Sequence, residues 1–304
     1  MREPSTSRAA WLVSHFCWPL CSSPYVASDR RAAREAARRR QAAHGAGISA
    51  LSAVVVLGAL VLLIVTSKGW PEVKQTFFNW QVFKDSFPDV LSGFWLDVKL
   101  FIGVEAVVLV AGLVIALGRT TIAPALFPVR LLGAVYVDVF RGVPTILVVY
   151  LIGFGVPALA LTGVPSDPVL LGGIGLALSY SAYVAEVYRA GIESVHPSQR
   201  AAAAALGLTG KQSLRHVVLP QALRGVAPPL LNDFISLQKD VALVSVLGPL
   251  EAFRVAQIEA SSDFNYTPLL SAAALYLCVT IPLARLFDRR RAAARLREGA
   301  GGPP

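Results

Sequence analysis

Ser198 to Pro220 reads SQRAAAAALGLTGKQSLRHVVLP, a polar, helix-prone stretch between two long apolar runs. Five consecutive alanines, Ala201 to Ala205, combine high helix propensity with almost no side-chain bulk. Gly207 is expected to break the stretch into two short helices, with Gly210 loosening the turn and Pro220 closing the second. Small residues let another surface approach the backbone, so the stretch reads as a loop built to be docked against. It carries no metal cluster or phosphate cradle of its own.

The surrounding composition sets the class. Of the 304 residues, 55% are hydrophobic and 15% charged, with a mean hydropathy of +0.58, well above an ordinary soluble domain. Runs long enough to cross a bilayer, which takes about 20 apolar residues, occur six times. They are Ile48 to Thr66, Trp95 to Gly118, Leu131 to Val156, Val169 to Tyr188, Ala227 to Leu247 and Leu269 to Leu286. The expected fold is an all-α integral membrane protein of about six transmembrane helices.

Basic residues orient these spans. The N-terminal tail, Arg119 and Arg130, the central loop with its flanks, and the C-terminus alternate with the other connections, and hold 21 of the 28 Lys and Arg. The remaining connections hold only Lys68, Lys74, Lys84 and Arg254. By the positive-inside tendency, both termini and the alanine-rich loop are expected in the cytoplasm, which makes the chain a multi-pass protein of the cell membrane. The net charge of +9 then reflects topology and attraction to anionic lipid. A nucleic-acid partner is not expected, because the basic residues fall on loop ends rather than on one folded face.

Residues 1–47 are a different material, a basic tail expected to be disordered apart from a short helical patch at RRAAREAARRR, Arg30 to Arg40. Residues 48–66 read as an uncleaved anchor helix rather than a signal peptide, whose charges would sit nearer the start. Residues 67–88 form an extracytoplasmic segment rich in Trp and Phe, as in an interfacial belt. A core over residues 89–288 contains the loop 191–220, and residues 289–304 form a second basic tail. Cys17, Cys21 and His15 make a poor metal site, and Cys278 stands alone in the last span.

Ionisable residues inside the apolar runs are the second signal, since each costs roughly 2.5–3.5 kcal/mol to insert. The set is Glu105, Asp138, Arg141, Glu186, Asp233, Lys239 and Asp240. Asp138 and Arg141 are three apart on one helix face and are expected to pair. Pro144 is expected to kink that helix. Charges at such depth can line a polar pathway, with Arg141 as its cation and Glu186 or Asp240 as its anion. Alternatively these charges pair with each other and leave substrate to Asn232, Tyr183 and Ser181. Lys239 and Asp240 point to different helix faces, so at most one is expected to face a given pathway. Gly207 to Lys211 has the wrong spacing for a phosphate loop, and Gln212 stands where the magnesium-binding Ser or Thr is needed. No catalytic site and no metal site are expected.

Several spaced motifs carry a family resemblance. Gln199 to Pro220 resembles the cytoplasmic signature loop of permease subunits of binding-protein-dependent ABC importers. Arg141-Gly-Val-Pro144 is similar to the Arg-Gly-Thr-Pro segment of their polar-amino-acid branch. YVAEVYRAGI, Tyr183 to Ile192, leads into the loop as it does in that branch, and NDFISLQKDVALVSV, Asn232 to Val246, resembles its Lys-Asp-Thr-Ser-Leu segment. The resemblance runs from about Phe87 to Arg289. There are departures: Ala201 stands at the usual glutamate of the loop, Val241-Ala242 replaces Thr-Ser, and Val148 replaces a frequent Gln. The anchor helix lies outside the five-span core usual for the branch.

The resemblance implies mechanical coupling. The loop would sit in a cleft of a separate ATP-binding subunit, which holds the ATP and Mg, while this chain binds no cofactor and is not itself an enzyme. Gln199, Arg200, Ala201, Ala202, Leu206, Gly207, Leu208, Leu214 and Pro220 are the coupling residues on this reading, with Leu206, Leu208, Leu214 and Val217 as apolar contacts. An amphipathic helix lying on the inner leaflet is the alternative for this loop, which Lys211, Arg215 and His216 would suit. The substrate pathway is assigned to Arg141, Tyr183, Glu186, Asn232, Lys239 and Asp240. The implied partners are ATP-binding subunits, an extracytoplasmic solute-binding protein and a second permease, copy or paralogue. An ion-coupled secondary transporter, with Glu105, Asp138 and Glu186 relaying protons, is the competing class. A non-transporting scaffold would not need charges at depth in three spans.

Overall fold

The computed structural model describes residues 29–121 and 123–300, and these residues form helices joined by short connections. Two compact units divide the chain, Met1–Trp70 and Pro71–Pro304. The first is one long helix, α1 (Asp29–Val65). Its Ile48–Val65 portion has a mean hydropathy of 2.9 and is exposed along its whole length, as a helix solvated by lipid would be. The helical patch expected at Arg30 to Arg40 lies inside α1, which also runs on through residues 41–47, expected to be disordered, into the anchor helix. The alanines and arginines there have high propensity, and nothing between Arg40 and Ile48 stops the hydrogen-bond ladder. Residues 1–28, with Cys17, Cys21 and His15, lie outside the described residues.

The second unit begins with α2 (Trp70–Phe77) and α3 (Trp80–Thr120). Asn79 caps α3 by accepting from the backbone N–H groups of Gln81 and Val82, so most of the expected extracytoplasmic segment is helical. The expected span Leu131 to Val156 is two helices, α4 (Phe127–Gly142) and α5 (Thr145–Ala158), meeting at 103°. Pro144 is the cause, since it forces Val143 into extended backbone (φ −96°, ψ 132°). The long helix α6 (Pro168–Ser194) follows, capped by Asp167. Beyond the loop, α9 (Leu219–Asp240) tightens into a 3₁₀ turn at Val241–Leu247. Gly248 (φ +105°) then redirects the chain by 55° into α10 (Ala252–Asp263). The last helix, α11 (Thr267–Ala300), carries the last span directly into the basic C-terminal residues. Among the described residues four helices are long and apolar enough to cross a membrane, or up to six spans when each bent pair counts as one.

Two of the apolar clusters in the second unit position its ends. The larger joins Val104 and Val108 of α3, Val149 of α5, Leu176, Tyr180 and Val184 of α6, and Leu237 of α9 with Val241 and Val244. The smaller, at the end remote from the loop, joins Val90 and Phe94 of α3 to Ala252 and Ala256 of α10 and Ala272 of α11. Gly93 lets α10 lie on α3, since a Cβ there would stand 2.7 Å from the Glu251 carbonyl carbon.

Candidate functional site

The loop follows α6 as the helix α7 (Pro197–Ala205). His196 caps it, its Nδ1 accepting from the backbone N–H of Ser198, and Pro197 sits where no backbone donor is needed. At the other end the N–H of Leu208 donates to Ala203 O and that of Gly207 to Ala204 O, the paired closure of a helix ended by a left-handed residue. Gly207 has φ +78°, and a Cβ there would meet nothing within 4 Å. Glycine is required for its backbone angle, not for room inside this chain. Thr209 and Gln212 then form a reciprocal capping box for the short helix α8 (Gly210–Ser213). A π-turn at Leu214–Val218 runs directly into α9.

This geometry sorts the expected coupling residues. Leu206 is 82% exposed at the tip of α7. Gln199, Ala201 and Ala202 are also exposed, while Leu208 is half-buried. Arg200 donates from Nη2 to Ile192 O at 3.0 Å, so it ties α7 back to the end of α6. Two expectations are corrected. Leu214 is not an outward contact, because it packs against the buried cluster of Ile192, Val195, Val218 and Ala222. Pro220 does not close the second short helix, because it occupies the first turn of α9, where its missing N–H costs no helical bond.

The expected pathway residues separate in the same way. Arg141, at the break between α4 and α5, is exposed, and its guanidinium lies 5.7 Å from the centre of the Tyr183 ring. The Tyr183 hydroxyl donates to Arg141 O at 3.4 Å. Next to it, Tyr180 donates its hydroxyl to Asp240 Oδ2 at 2.8 Å. Arg141, Tyr183, Tyr180 and Asp240 thus form one polar chain across α4, α6 and α9. An exposed guanidinium stacked on a ring is suited to hold a carboxylate. Asn232 and Lys239 are exposed seven residues apart on one face of α9, away from the Asp240–Tyr180 bond.

Glu186 is the main correction. Arg119 Nη1 donates to its Oε2 at 2.8 Å, Arg189 binds both its oxygens, and Arg189 also bonds Glu193 at 2.5–2.6 Å. The carboxylate is therefore committed to holding α3 and α6 together beside the loop, and is not free for an ammonium group. Asp138 and Arg141 form no ion pair, because Arg141 turns to Tyr183 instead. Sequence reasoning missed Arg119, Tyr180 and Asp97. The first lay in what read as a connection, whereas Asp97 fell inside an expected span and signalled itself by its charge. Among the described residues no group of His, Cys, Asp and Glu could hold a metal ion.

Residues 108–292 match the family described as "Binding-protein-dependent transport system inner membrane component". The chain is 33% identical over 213 residues to the probable amino-acid permease protein YxeN of Bacillus subtilis (strain 168), an alignment covering 69% of this chain and 93% of that one. It is 31% identical over 198 residues to the arginine transport system permease protein ArtQ of the same organism, covering 64% and 88%. Among solved structures, a chain of an amino acid ABC transporter with histidines superposes with a TM-score of 0.60 at 35% identity, over 67% of this chain and 94% of that one. A chain of the inward-facing MetNI methionine ABC transporter shares the fold, with a TM-score of 0.55 at 19% identity over 67% and 95%. The chain belongs to the family of inner-membrane components of binding-protein-dependent transport systems.

Proposed function

We propose that this protein is the permease subunit of an ATP-driven importer of polar amino acids, lining the translocation pathway and coupling it to a separate ATPase through residues 198–220. The observation that carries the reading is the loop itself, a rigidly closed pair of short helices that leaves Leu206 82% exposed. A large apolar side chain held out on a fixed frame is suited to enter a cleft on a partner. The Arg119–Glu186–Arg189 pairs lie at its root, so displacement of the loop would move α3 and α6 together.

In this assignment the ATP and Mg belong to the ATP-binding subunits, a solute-binding protein delivers substrate from outside, and a second copy or paralogue supplies the other half of the pathway. Both termini lie in the cytoplasm. Arg141, stacked on Tyr183, receives the substrate carboxylate, and Asp240, held by Tyr180, faces the ammonium. The names of the similar permeases and the exposed guanidinium support an amino acid as cargo.

The test is co-purification from native membranes in mild detergent, followed by uptake in liposomes. A stoichiometric ATPase, and uptake of a radiolabelled amino acid that requires ATP, is the expected result. Uptake by the chain alone, driven by an ion gradient, would overturn the assignment.

A further inference from the structure

The end of the core remote from the loop holds two carboxyl groups that the transport reading does not use. Asp97 on α3 is 3% exposed, and Glu251, just before α10, is 1% exposed. Asp97 Oδ2 accepts from the Ala252 backbone N–H at 3.3 Å and from the Tyr276 hydroxyl of α11 at 2.8 Å. Glu251 caps α10, its two oxygens accepting from the backbone N–H groups of Phe253 at 2.8 Å and Arg254 at 2.6 Å. The two carboxyl groups converge on one hydroxyl, that of Tyr276, which lies 2.8 Å from Asp97 Oδ2 and 3.5 Å from Glu251 Oε2. Asp97 Oδ1 is buried and no donor reaches it.

Two facing carboxylates are two acceptors, and nothing nearby supplies the positive charge they need. On α3, Lys99 is exposed with its ammonium over the Trp95 ring, and Asp89 is exposed. On α10, Arg254 donates to Gln257, and Glu259 is only half-buried. From α11 only Tyr276 faces the pair, and its one hydroxyl proton serves Asp97, lying 3.5 Å from Glu251. The first turn of α10 favours one negative charge at Glu251, but not a second beside it. A metal ion would need about six oxygen ligands, whereas Asp97 Oδ2 and both Glu251 oxygens are already engaged by N–H or O–H donors. A proton needs no such shell: bound at the cluster, it removes one of two buried negative charges and adds the donor that a set of acceptors sharing one hydroxyl lacks.

We propose that Asp97 and Glu251 bind one proton between them, and that this shared bond fastens α10 to α3 and α11. The inference does not rest on the transport assignment. The test is infrared spectroscopy of the full-length chain in nanodiscs at neutral pH, comparing wild type with Asp97→Asn and Glu251→Gln. The wild type should show a protonated-carboxyl C=O band that each variant lacks, seen as a negative band in the variant-minus-wild-type difference spectrum. Asp97→Asn should stay folded, because its amide supplies the donor that the proton provides, whereas Glu251→Gln keeps only one of the two acceptors that cap α10 and should be less stable. A difference spectrum with no carboxyl band would overturn the proposal. So would a wild-type band abolished by NaCl but not by choline chloride, which would assign the site to an alkali cation. Should Glu251→Gln fail to fold, the Asp97→Asn difference spectrum decides, and a wild-type carboxyl band that persists unchanged in that variant would refute the shared proton.

Discussion

Gly207 and Gly93 mark opposite ends of the core and are glycines for opposite reasons. Gly207 sits at φ +78° with open space where a Cβ would be, whereas Gly93 is helical and has the Glu251 backbone 2.7 Å from that position. At the loop end the chain finishes its own hydrogen bonds and leaves an apolar tip outside. At the far end it closes α3, α10 and α11 onto one another, with the Glu251 backbone against Gly93. One end is completed internally, and the other is shaped for something else.

Gly93→Val should break this contrast most severely. The added side chain meets backbone rather than a movable side chain, and overpacking of this kind costs about 1–3 kcal/mol or more. The detergent-solubilised chain should lose its monodisperse elution peak, and unchanged thermal stability would contradict the close contact of α3 and α10. Gly207→Val should leave that peak intact yet abolish ATP-driven uptake, since a β-branched residue in the left-handed region costs about 1–2 kcal/mol. ATP-driven uptake at the wild-type rate would count against the role of the loop turn.

Glu186→Gln sharpens the comparison by leaving Arg119 and Arg189 without their shared anion. Their side chains are 14% and 29% exposed, so solvent moderates the loss, and about 1–3 kcal/mol of stability should go. Pairing it with Arg119→Gln should recover part of that, and strictly additive losses in thermal melts would argue that the pair is incidental. Leu206→Ala should be the mildest, with no change in melting because the side chain already faces outward. Binding of the ATPase should weaken about tenfold, as truncation of an interface anchor does, and an unaltered affinity would remove Leu206 from the docking surface.

What the sequence made legible follows from what is local. The spans rest on runs of apolar residues, the turn at Gly207 on glycine chemistry, and the break at Pro144 on the missing donor and its effect on Val143. Even there the sequence suggested a kink within one span, whereas Val143 is extended and two separate helices meet at 103°. The pairings were not legible. Arg119 reaches Glu186 across 67 residues and Ala252 reaches Asp97 across 155, and such contacts leave no periodicity to read. Leu214 was misread for a related reason, because an isolated leucine in a polar loop looks the same whether it faces a partner or its own core.

The exposed Ile48–Val65 helix bears on how the protein is made. Its hydropathy of 2.9 exceeds that of the other unbroken spans, and it carries no charged residue. A helix this apolar is stable in lipid by itself and can enter the bilayer before the core has been translated. The charged spans that follow, with Asp97, Glu105 and Glu186, cannot do so alone and must wait for one another. The first helix is thus equipped to moor the nascent chain while the costly segments gather beside it.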